Sequence, residues 1–156
     1  MNSLNIRHLI WGAGFVFLQI VIFRHLSIYG AEPDVVLLFL LWLTSKRDRT
    51  SCLLFAAGLG LFQDAMLDLW GLHMFSKTLL IMLIYNFLPR HAETRLSIWQ
   101  VFLTVFIASL LHYLIFMTLG LLVETYATDA YFYTYWIGNS IYTAVAGSMI
   151  YLLTSD

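Results

Sequence analysis

The spacing of the charges constrains this chain more than any other feature. Its 156 residues carry 8 Lys/Arg and 9 Asp/Glu. Between them lie charge-free runs: His8 to Arg24, Asp34 to Lys46, Arg49 to Asp64, Lys77 to Arg90, Arg95 to His112, and Asp129 to Asp156. The fifth continues past His112 to Glu124 as one helix. These runs predict six transmembrane helices, over roughly 9–28, 34–46, 50–67, 74–89, 97–123 and 131–153. The last two are of the ~20 residues that cross a bilayer comfortably. Shorter ones must hold charges below the headgroups, tilt, or be locally broken.

Composition agrees. The chain is 61% hydrophobic and 11% charged, against roughly 25% charged in a soluble domain. A soluble fold of this size could not cover its surface with so few charges. That excludes a soluble enzyme domain and a disordered tail. A net charge of -1 leaves no basic excess for nucleic acid. The single Cys52 excludes an intrachain disulfide framework and a Cys-based metal set. Arg7 and His8 precede an apolar stretch, but no small-residue cleavage pattern follows, so a cleaved signal peptide is not expected. Residues 1–156 read as one multi-pass domain.

Lys and Arg set the orientation. Arg7, Lys46, Arg47, Arg49, Arg90 and Arg95 fall on one side, Arg24 and Lys77 on the other. The richer side is expected in the cytoplasm, with both termini. Trp11, Trp42 and Trp99 then lie near the inner interface, and Trp70, Trp136, Tyr131, Tyr133 and Tyr135 near the outer one, as an aromatic belt requires. Pro33-Asp34 can start the second helix. Ser97-Ile98-Trp99-Gln100 has capping-box spacing at the start of the fifth, and Pro89 ends the fourth.

Chemistry-bearing patterns are sparse. There is no G-x-S-x-G element and no Gly-rich phosphate loop. The five histidines, at 8, 25, 73, 91 and 112, include no i, i+4 pair, the helical spacing of a metal site. No enzyme, cofactor or metal is expected. What remains are polar residues toward the outer half of helices 1–4: Arg24, Asp34, Gln63, Asp64, Asp68 and Lys77. An unpaired charge facing lipid is costly, so these groups should neutralise one another inside the bundle. They would form either structural pairs or an outward-facing polar cavity for a partner helix or solute. For Asp68 and Lys77 the plainer reading, solvated or paired ends, is preferred. Ala56, Gly60 and Asp64 share one helix face at four-residue spacing, a seam where another helix can approach closely. Arg24 and Lys77 are the only cations on that side to pair with Asp64. His112, mid-helix, reads as a neutral imidazole bonded to a neighbouring helix rather than a proton relay. Gln19 and Asn139 read as interhelical hydrogen-bond glue. Ala144-x-x-x-Ser148, with Gly147 beside it, marks a second close-approach face.

Residues 30–90 resemble the MreD family of rod-shape-determining membrane proteins. The resemblance rests on Pro33-Asp34-Val35-Val36-Leu37-Leu38, the basic hairpin Lys46-Arg47-Asp48-Arg49, the helix ending Gly60-Leu61-Phe62-Gln63-Asp64, and Gly71-Leu72-His73 opening the next helix. The family commonly has glycine where Ala56 stands. The resemblance implies a six-helix bundle similar to the S-components of vitamin uptake transporters. It also implies a non-enzymatic scaffold subunit of the cell-wall elongation complex. Implied partners are an MreC-type protein, a RodA-type glycosyltransferase with a class B penicillin-binding transpeptidase, and the MreB cytoskeleton. Arg24, Ala56, Gly60, Asp64, Gly71 and His73 form the candidate partner-binding or structural cluster. The alternative is an outward-facing solute-binding subunit of a transporter, which should gather polar groups from several helices around one small volume.

Overall fold

A computed structural model describes residues 3–88, 96–122 and 134–154. Six α-helices follow one another: α1 Ser3–Val21, α2 Val35–Thr44, α3 Arg49–Leu67, α4 Leu72–Ile84, α5 Ile98–Leu122 and α6 Asn139–Thr154. A single 3-10 turn, Phe23–Leu26, follows α1, and a π-helical turn, Thr134–Gly138, leads into α6. Among the described residues there is no strand, only an isolated bridge between Ile28 and Ala31. Pro89, Arg90, His91, Arg95, Glu124, Asp129, Tyr131, Tyr133 and Asp156, invoked above, lie outside the described residues. So does the side chain of Arg24.

Two helices, Arg49–Leu67 and Ile98–Leu122, are long and apolar enough to cross a membrane. The largest departure from the expected spans is at the amino end, where α1 covers Ser3–Val21 instead of 9–28. Polar Ser3, Asn5, Arg7 and His8 continue the helix beyond its apolar stretch. At the far end the His25 ring meets the Val21 carbonyl at 2.9 Å. Tyr29 and Gly30 then take positive φ values of 53° and 81°, which turn the chain at the Ile28–Ala31 bridge.

Helix ends elsewhere follow local chemistry. Asp34 caps α2 by accepting from Leu37 N, and Asp48 caps α3 by accepting from Ser51 N. Gln100 Oε1 accepts from Ser97 N at 2.9 Å, completing half of the capping box at the start of α5. Gly71, at φ 80°, opens α4 in the left-handed region that favours glycine.

α3 packs along α4, α5 along α6 and α4, and α1 against α2 and α3. The larger core cluster joins α1 to α4 through Val16, Phe39, Leu40, Phe55, Leu59 and Ile81. A smaller one joins α2, α4 and α5 through Leu37, Leu80, Ile84 and Ala108. The basic hairpin is stitched to its neighbours. Arg47 Nη2 meets His8 Nδ1 at 3.0 Å, Arg49 Nη2 donates to Met82 O, and Tyr85 Oη donates to Arg47 O.

Candidate functional site: a buried polar cluster at the start of α2

α2 is ten residues long, about 15 Å, and it begins inside the bundle. A helix starting there leaves backbone groups without partners, and burial makes that expensive. Side chains from other helices supply the partners. Gln19 of α1 donates through Nε2 to Pro33 O and accepts at Oε1 from Val35 N, both at 2.7 Å. Thr143 Oγ1 of α6 accepts from Asp34 N at 3.0 Å, and Asn139 Oδ1 accepts from Glu32 N at 2.8 Å. Thr143 Oγ1 in turn donates to Asn139 O. The stretch Glu32–Val35 is thus held from both sides of the bundle.

The Asp34 carboxylate lies at the centre. Oδ1 accepts from Leu37 N at 2.8 Å. Oδ2 accepts from Lys77 Nζ of α4 at 2.6 Å and lies 3.2 Å from His112 Nε2 of α5. Lys77 is 0% exposed. An ammonium so buried is tolerated because a carboxylate faces it at hydrogen-bond distance. Of the two plain readings of Lys77, solvated or paired, the structure has the paired one. His112 does bond across to a neighbouring element, as expected. Gln19 and Asn139 are hydrogen-bond glue, though to the non-helical backbone leading into α2 rather than helix to helix.

A second cluster sits at the α3–α4 turn. Asp64 Oδ1 accepts from His73 N and His73 Nδ1, and Oδ2 accepts from Met74 N, all at 2.9 Å. The carboxylate satisfies the orphan donors of the first turn of α4 and meets its positive dipole end. Gly60 lies under the same turn. A Cβ there would come within 2.5 Å of Met74 Cα, so glycine is what lets α4 approach. The Ala56–Gly60–Asp64 seam is accordingly filled by α4. Of the two cations proposed for Asp64, Lys77 does not pair with it: it lies one turn further along α4, engaged by Asp34, and the Arg24 side chain lies outside the described residues. Asp68 is exposed and ends α3 at φ 56°. An open cavity of about 280 Å³ beside this turn is lined by Asp64, Asp68, Trp70 and Gly71 among others.

Phe116 links the two clusters. Its ring lies 4.7 Å from that of His73 and 6.3 Å from that of His112. Sequence reasoning placed Asp34 at the start of a helix and missed it as the hub. The available signal was a Pro-Asp pair heading a very short apolar run, with one lysine and one mid-helix histidine at comparable depth. Among the described residues no group of three or more His, Cys, Asp or Glu is placed to hold a metal ion. No family model, curated protein or solved structure matches this chain.

Proposed function

We propose that this chain spans the bacterial cytoplasmic membrane six times with both termini inside. In this reading it serves as an MreD-like, non-enzymatic scaffold of the cell-wall elongation complex. It would engage an MreC-type protein and, through it, the RodA-type and penicillin-binding synthases and MreB. The observation that carries the reading is the division between interior and exterior. Most charged and polar groups in the middle of the bundle pair with one another, while Ile10, Trp11, Leu54, Trp99 and Leu153 are among many large apolar side chains left exposed. In a bilayer, non-helical backbone such as Glu32–Val35 is tolerated only where protein satisfies it. At about 15 Å, α2 reaches halfway through a ~30 Å hydrocarbon core, which brings the Asp34–Lys77 pair near the midplane.

A specific observation favours the second reading, a solute-binding subunit. Gln19, Asp34, Lys77, His112, Asn139 and Thr143 come from five helices or their ends and converge on one volume. Their polar atoms are largely occupied by one another, which suits a rigid scaffold better. Asp34, His112 and Ser109 are the residue types of a nucleophilic triad, but no hydrogen bond joins Ser109 to His112, and that contact is what activates such a nucleophile. Since α4 fills the α3 seam, a partner helix would use another face.

Affinity purification from native membranes separates the two readings. Co-elution of an MreC-type protein supports the scaffold, and co-elution of an energising ATPase replaces it with the transport subunit. Reporter fusions at residue 156 and near Thr128 should score inside and outside. A periplasmic carboxyl terminus would overturn the six-span topology.

A further inference from the structure

Three buried side-chain atoms have no hydrogen-bond partner among the described residues: Gln63 Oε1, Ser109 Oγ and His112 Nδ1. Two of these belong to residues one turn apart on α5, on the same helix face, and helical side chains lean back toward the preceding turn. The Ser109 hydroxyl is an exception in this molecule. Thr44, Ser76, Ser140, Thr143 and Ser148 are buried as well, and each donates to a carbonyl three or four residues back. Ser109 has the same option and does not take it. On His112, the Asp34 carboxylate 3.2 Å from Nε2 sets that nitrogen as the donor, which leaves Nδ1 a bare acceptor. A lone pair and a hydroxyl at 0–1% exposure are adjacent on one helix, each bearing its full desolvation penalty.

We propose that Ser109 Oγ and His112 Nδ1 hold one internal water molecule, admitted from the α3–α4 turn side of the bundle. Water is the ligand whose chemistry fits: it donates to the imidazole nitrogen and accepts from the hydroxyl, as buried waters do between otherwise unpaired groups. On that side lies His73, whose side chain is 12% exposed, and between it and His112 stands the Phe116 ring, its centroid 4.7 Å from that of His73 and 6.3 Å from that of His112. The opposite direction is shut. Leu37, Leu80 and Ala108 stand about one turn beyond Asp34, Lys77 and His112 on their three helices, and together with Ile84 they make an apolar cluster. The water is thus joined to the Asp34–Lys77 pair through the His112 ring, whose Nε2 faces Asp34 Oδ2.

Hydroxyl-radical footprinting of the intact protein in lipid nanodiscs, by brief X-ray radiolysis in ¹⁸O-labelled water, tests this directly. Radicals born from an internal water oxidise the side chains beside it. Corrected for intrinsic reactivity, His112 should be oxidised several-fold faster than the equally buried Leu80 and Leu37. Ser109→Val, which fills the site, should bring His112 down to their level, and Ser109→Ala should lower it. If wild-type His112 reacts no faster than Leu80, the proposal is overturned without recourse to any variant. Unchanged His112 oxidation in a folded Ser109→Val protein overturns it equally. The outcome is independent of which partner proteins co-purify, so it stands or falls apart from the scaffold reading.

Discussion

Replacing Lys77 with methionine should be among the most damaging single changes in this protein. Lys77 is fully buried, and its Nζ lies 2.6 Å from Asp34 Oδ2, with the Asp34 side chain only 4% exposed. Methionine keeps most of the volume of the lysine stem, so packing is little altered and the loss is chiefly electrostatic. Asp34 would retain Leu37 N and His112 Nε2 as partners but no permanent cation. Stranding one member of a buried pair typically costs about 3–5 kcal/mol. At about 2–4 °C per kcal/mol for a chain of this length, the apparent Tm should fall by about 6–20 °C. Thermal unfolding in detergent, followed by tryptophan fluorescence, reads this out. The double variant Lys77→Met/Asp34→Asn should recover much of the loss, because no charge is then stranded and the asparagine can still cap α2. A double-mutant cycle therefore predicts strong positive coupling. Should Lys77→Met lose less than about 1 kcal/mol, the range of a solvated pair, or should the two changes simply add, the buried-pair argument fails.

Asp64→Ala should destabilise by about 2–4 kcal/mol, since it orphans two part-buried backbone donors of α4, each toward the lower end of about 1–3 kcal/mol. Asp68→Ala should do little, and equal melting temperatures for the two would refute the distinction. Asp68→Gly should be neutral or mildly stabilising, because φ 56° costs a non-glycine residue up to about 1–2 kcal/mol. Gly60→Ala should abolish or severely weaken folding, with Met74 Cα 2.5 Å from the new carbon, whereas Gly58→Ala meets nothing within 4 Å and should gain about 0.5–1 kcal/mol. Opposite signs in the same unfolding assay are required. At the basic hairpin, the Ser51 hydroxyl and backbone N–H hold the Asp48 carboxyl below its ordinary 3.8. A carboxylate so depressed adds stability that is present above its ordinary pKa and lost as pH falls through the folded value. The stability difference between wild type and Asp48→Ala should therefore shrink below about pH 4, and a difference constant into strong acid would contradict the assignment.

Charge spacing and apolar runs alone mark six helices and, α1 apart, their approximate positions, because a segment without charges that is this apolar must be buried in protein or lipid, and helix is the local way to satisfy its backbone. Ends with a local cause were legible too. Pro33-Asp34 starts α2, and Ser97 and Gln100 open α5, each through groups within four residues in the chain. The membership of the polar core was not legible. Asp34, Lys77 and His112 are separated by 43 and 35 residues, and nothing local to Lys77 distinguishes a buried ammonium from a solvated one. That was decided when α2, α4 and α5 packed with those three positions at one level. Asp64 illustrates the same point from the other direction. Its spacing from Ala56 and Gly60 correctly marked a close-approach face, but periodicity says only that a helix comes near, never which one. The tertiary fold chose α4, because the short turn after Asp68 returns the chain onto that seam and presents the unpaired N–H groups of a new helix to the carboxylate.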